Sequence, residues 1–100
     1  MFRSQRTARI RAGKLVEAFQ WAREIAEYTN EKYAPVSTQA YSEVFGDYGK
    51  VHWHTDFEDL ATYEKASAQL MADQEYWAML NEGAELFIEG SVHDTLIQSL

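Results

Sequence analysis

The sequence predicts an α+β fold whose elements run strand, helix, strand, strand, helix, strand. Three observations carry this expectation. Apolar and polar residues alternate with a period of two near the start of the chain, on both sides of residues 46–49 and in the C-terminal stretch. The spacing changes to three-to-four from Lys14 to Tyr33 and again after Asp56. Between the second and third strands, Gly46-Asp47-Tyr48-Gly49 has the length and residue types of a hairpin loop, so those strands pair antiparallel.

The chain has 100 residues, of which 46% are hydrophobic and 14% aromatic, enough for one globular domain spanning 1–100 and too short to divide into two. Its formal net charge of −7 disfavours nucleic acid and anionic membrane as partners. The charge is uneven, because Arg3, Arg6, Arg9, Arg11 and Lys14 supply five of the nine basic residues. A basic first strand in an acidic chain is expected to pair with local carboxylates. There is no cysteine, which excludes disulfides, thiol catalysis and zinc–thiolate sites. No apolar run approaches the ~20 residues that span a bilayer, and the N-terminus lacks the apolar core of a signal peptide. A soluble, cytoplasmic protein is expected.

Residues 3 to 11 read as the first strand, with Arg6, Ala8 and Ile10 on one face and Thr7, Arg9 and Arg11 on the other, ended by Gly13. In the helix that follows, Leu15, Phe19, Ala22, Ala26 and Thr29 form the apolar stripe, flanked by Ala18 and Ile25, and Pro35 marks the end. Val36 to Phe45 reads as the second strand. Lys50 to Asp56 is the third, with Val51, Trp53 and Thr55 facing the helices and Lys50, His52, His54 and Asp56 facing away. Asp56 is placed to cap the next helix, whose buried side is expected to include Phe57, Leu60, Ala61, Ala68 and Met71. Asp73 caps a short extra helix over 74–83, in which Trp77 joins Trp53 in the core. Residues 86–100 read as extended, bent at Gly90. This order is the split β-α-β pattern of ferredoxin-like domains: a four-stranded antiparallel sheet with both helices on one face.

Several strings in this frame resemble a known family. Ala12-Gly13-Lys14-Leu15-Val16-Glu17-Ala18, Phe45-Gly46-Asp47-Tyr48-Gly49 followed by Val51-His52-Trp53, Asp56-Phe57-Glu58-Asp59-Leu60-Ala61-Thr62-Tyr63-Glu64 and Leu70-Met71-Ala72-Asp73-Gln74-Glu75-Tyr76 resemble the helix openings and second hairpin of NIPSNAP-like and related dimeric α/β-barrel proteins. Ala12 departs from that pattern, which has proline there. The resemblance implies a homodimer whose sheets meet face to face, with a cavity between sheet and helices or between sheets. The superfamily includes cofactor-independent monooxygenases, haem-degrading enzymes and small-molecule-binding modules, so the resemblance selects no activity.

The candidate site is the sheet face away from the helices. Arg9, Gln39, Tyr41, Glu43, His52 and His54 fall there, a mixture able to orient a small polar or anionic ligand and equally able to form a wet surface or a polar dimer interface. His52 and His54, two apart on one strand, are the candidate catalytic pair; an imidazole neutral near pH 7 suits proton transfer. A metal site would need further ligands; Glu43 and His93 are the available ones, but no third-ligand spacing is recognisable, so no metal and no cofactor are expected. Arg9 could hold a carboxylate bidentately or pair with Glu43. Ser91, His93 and Asp94 have triad residue types without triad spacing. Three readings follow: a homodimer binding a small molecule near His52 and His54; a cofactor-independent monooxygenase or isomerase using one histidine as base, with Arg9 or Tyr41 holding an enolate-like oxygen; and an interaction domain without a ligand.

Overall fold

Period-two alternation in the first strand decides which face of the sheet is buried. The computed structural model describes every residue except Asp47, which leaves that position of the expected hairpin loop outside the described residues. Strands β1 (Phe2–Arg9), β2 (Ser37–Ser42), β3 (Lys50–Phe57) and β4 (His93–Gln98) form one antiparallel sheet in the order β2-β3-β1-β4. Helices α1 (Leu15–Lys32), α2 (Leu60–Met71) and α3 (Gln74–Gly83) complete the ferredoxin-like α+β fold. The register sets Ala8 opposite Val51 and Arg6 opposite Trp53, so the even residues of β1 and the odd residues of β3 share the helix-side face.

Small side chains bring α1 close to the sheet. Ala18, Ala22, Ile25 and Ala26 are buried against Ala8, Ile10, Val51 and Trp53. The Trp53 indole N–H donates to the Ala22 carbonyl at 3.2 Å, satisfying the polar atom that a buried tryptophan carries. Trp21 meets Trp53 and Phe87 edge-on, at centroid distances of 6.1 and 5.5 Å. The far end of α1 is tied to the edge strand β2: Asn30 donates to the Thr38 carbonyl at 2.9 Å and accepts from the Thr38 N–H at 2.6 Å. The expected stripe of α1 and the expected cap Asp73 are both present, the latter accepting from the Tyr76 N–H.

Five local expectations are corrected. The second strand stops at Ser42, whose register partner is Val51; Val44 and Phe45 lie beyond the ladder and are exposed, Phe45 by 91%. Asp56 stays in β3, its carboxylate held by Arg3 across the strand pair, and Asp59 caps α2 by accepting from the Thr62 N–H. The inward side of α2 carries Tyr63, Ala66, Ser67 and Leu70, while Leu60, Ala61 and Ala68 are exposed and Met71, more than half exposed, borders the cavity at the helix end. The apolar pattern misplaced this face because it borders a cavity, where hydroxyl-bearing side chains are solvated. Trp77 is 43% exposed, its indole N–H turned back to the Met71 carbonyl. The C-terminal stretch begins with a 3-10 turn at Ala84–Leu86 and an isolated bridge from Phe87 to Ile10, and β4 forms only at His93.

Candidate functional site

Alternation along β1, β2 and β3 sends the expected polar set to the sheet face away from the helices. Gln39 and Tyr41 of β2 stand opposite His54 and His52 of β3, and Thr7 of β1 stands on the other side of His52. Glu43, just past β2, accepts or shares a proton with His52 at 2.7 Å. His54 packs on the Tyr41 ring with centroids 4.8 Å apart and meets the His52 ring at 6.4 Å. Partial burial, with the nearby positive charge of Arg3 and then His52, holds the His54 imidazole below its ordinary value of 6.5, so it is neutral near pH 7. Beside it, Arg3 grips Asp56 through two hydrogen bonds of 2.8 and 3.1 Å, holding that carboxyl below its usual range.

Arg9 shares this face but lies opposite Lys50 in β1, with β3 between it and β2. Its backbone N–H donates to the Ser91 hydroxyl at 3.1 Å, and its carbonyl accepts from Ile88. The expected pairing of the basic first strand with local carboxylates is seen at Arg3–Asp56, Arg6–Asp94 and Lys14–Glu17. His93 sits one strand beyond Thr7 from His52. Among the described residues, no group of three His, Asp or Glu side chains is arranged to hold a metal ion.

A cavity of about 420 Å³ lies on the other side of the sheet, between it and the helices. Trp21, Ile25, Trp53, Phe57, Leu70 and Leu80 give it apolar walls; Ser4, Thr38, Thr55 and Ser67 add hydroxyls, and Arg6 and Asp94 stand at its edge. A volume of this size with sparse polar groups suits a small organic molecule. None of Arg9, Gln39, Tyr41, Glu43, His52 and His54 lines it. A second hollow of about 490 Å³, toward Phe87 and Val92, shares Arg6, Trp21, Trp53 and Leu80 with the first.

The sequence reading passed over Arg6, Tyr63, Ser67 and Tyr76 as site residues. For Arg6 a signal existed: it is a charged residue at an even position of β1, on the face whose other members, Ala8 and Ile10, are buried. For the residues of α2 and α3 no such signal existed, because their lining role depends on how each helix is rotated over the sheet.

Comparison with known proteins supports the fold. A family model described as a family of unknown function (DUF6039) matches residues 2–99. No curated protein matches the chain. Among solved structures, a NIPSNAP domain protein from Burkholderia xenovorans is similar with a TM-score of 0.82 at 19% identity, covering 100% of this chain and 95% of that one. A NIPSNAP family protein from Agrobacterium tumefaciens gives 0.80 at 18%, covering 99% and 85%. A putative antibiotic biosynthesis monooxygenase from Nitrosomonas europaea gives 0.75 at 11%, covering 100% and 99%. The expected resemblance to NIPSNAP-like ferredoxin-fold proteins is therefore present along the whole chain.

Proposed function

We propose that this chain, which belongs to the DUF6039 family of unknown function, acts as one 1–100 domain in a homodimer that binds a small organic molecule between its sheet and its helices. The observation that carries this reading is the 420 Å³ cavity, with apolar walls and a few hydroxyls among its lining residues. The polar sheet face, with Gln39, Tyr41, Glu43, His52 and His54, serves as the surface where two protomers meet, and Arg9 extends it. The exposed edge strand β4, with Leu96 and Ile97 each 45% exposed, offers the partner further apolar area. Among the described residues no helix is long and apolar enough to cross a membrane. The cytoplasm suits a chain without cysteine, and a net charge of −7 points away from nucleic acid.

Native mass spectrometry tests both parts. A dimer carrying a mass that departs on denaturation, and that is missing from the cavity-filling variant Ser67→Phe, supports the reading. A monomer overturns the dimer; a bound mass unaffected by Ser67→Phe overturns the location.

A second reading places chemistry on the polar face. The neutral imidazole of His54, packed on Tyr41 and next to the Glu43–His52 pair, is fit to take a proton without metal or flavin. In this reading the protein is a cofactor-independent monooxygenase or isomerase, and one of its structural neighbours is a putative antibiotic biosynthesis monooxygenase. An electron-rich substrate must then be consumed without added cofactor, and unchanged rates in both His52→Ala and His54→Ala would sink it.

A further inference from the structure

We infer that the ligand of the sheet–helix cavity is an amphipathic carboxylate whose head group is bound by Arg6 and Tyr76. The inference rests on the cavity reading above and adds the ligand class and the residues that select it.

Arg6 is a cation on the helix-side face of the sheet, and it borders both hollows. Its Nε and Nη2 hold Asp94 of β4 through bonds of 2.7 and 2.8 Å, the bidentate geometry that a planar guanidinium offers a carboxylate. That pairing uses one edge of the fork. Nη1 makes no hydrogen bond among the described residues, so the other edge has donors to offer. Asp94 occupies that edge of the guanidinium and leaves the open edge for a second acceptor.

Tyr76 supplies the matching donor. Its ring is buried in the core and lines the cavity, and no buried side-chain oxygen or nitrogen among the described residues is left without a partner, so the hydroxyl is one that solvent in the cavity reaches. Burial raises its pKa and the nearby Arg6 charge acts against that, leaving a neutral phenol able to donate. Two donors, one charged, fit the two oxygens of a carboxylate. Both Asp94 oxygens already accept from Arg6, so this corner has a surplus of donors. The walls beside it, Trp21, Trp53 and Leu80, suit an apolar body. Because Arg6 and Asp94 are each about half exposed, at 46% and 53%, the head group would lie at the open side of the cavity and the body inside it.

The test is calorimetric titration of the wild type, Arg6→Met, Tyr76→Phe and Asp94→Asn with 2-naphthoate and with uncharged 2-naphthamide, each variant first checked by thermal melting. The wild type should bind the acid about tenfold more tightly than the amide, the worth of a charge-assisted hydrogen bond. Arg6→Met should abolish that preference, and Tyr76→Phe should weaken naphthoate alone. Asp94→Asn, which removes a competing negative charge, should bind naphthoate more tightly. Should Arg6→Met fail to fold, Asp94→Asn decides: tighter binding supports the inference, unchanged or weaker binding overturns it. Equal wild-type affinity for acid and amide, both blocked by Ser67→Phe, overturns the role of Arg6 and leaves the cavity reading standing. No binding of either probe overturns both.

Discussion

The indole of Trp21 occupies the space that a Cβ on Gly83 would need. Helix α3 can pass this close to α1 only because its last residue has no side chain. Trp21 borders both hollows and Gly83 the second. The backbone at Gly83 is ordinary, with φ −81, so close approach, not conformation, requires glycine there.

Two effects compete when Gly83→Ala is made. Alanine favours a helix over glycine by roughly 1 kcal/mol. Driving a methyl into a rigid, packed indole costs about 1–3 kcal/mol. The steric term wins, and the expected outcome is a lower urea midpoint by the equivalent of about 1 kcal/mol, restored in part by Trp21→Leu. A raised midpoint for Gly83→Ala alone would contradict the contact.

Asp73 is the knot between α1 and α3. Its almost fully buried side chain caps α3 at the Tyr76 N–H, accepts from the hydroxyls of Tyr28 and Tyr33 at 2.5 Å each, and pairs with Lys32 at 3.1 Å. The two phenols hold the carboxyl well below the usual carboxylate range, and the bond to Asp73 pushes Tyr33 up to about 12. The signs differ. A depressed carboxyl contributes stability above its ordinary value of 3.8, lost as pH falls below it. A raised phenol contributes stability below 10, lost as pH climbs through about 12. Denaturation followed against pH should therefore show both limbs, with the acid limb shallower in Tyr28→Phe/Tyr33→Phe. Asp73→Ala should cost more stability than Asp59→Ala, since Asp59 acts as a cap without the phenols.

His54 sets a milder pH response. Its folded pKa lies below 6.5, so the unfolded chain takes up the proton first and stability falls as pH drops through that value. If the polar face joins two protomers, acidification from pH 7 to 5 shifts the dimer toward monomer, and His54→Gln removes that shift. Analytical ultracentrifugation at the two pH values reads it directly; identical pH dependence in the variant would rule His54 out as the sensor.

The tryptophans separate core from surface. Trp53→Ala should cost about 3–5 kcal/mol, because it empties buried volume and removes the indole bond to the Ala22 carbonyl. Trp77→Ala should cost below about 1 kcal/mol, since the ring is largely solvated and its hydrogen bond lies near the surface. Guanidinium melts of the two variants compare them.

Much of this molecule was legible in the residues themselves. The alternation around His52 and His54 determined their shared face, the stripe from Leu15 to Thr29 determined how α1 meets the sheet, and Asp73 announced the start of α3. These features follow from periods of two and 3.6 and from local capping chemistry, which are properties of the chain alone. The tertiary structure decided the rest. It rotated α2 so that Tyr63 and Ser67 face the sheet, left Asp56 to Arg3 and gave the cap to Asp59, and turned Trp77 outward. Above all it left a cavity on the side opposite the polar strand face, with Arg6 and Tyr76 among its lining residues. A cavity is a volume left between elements, set by their separation and rotation, and no single element's pattern carries that information.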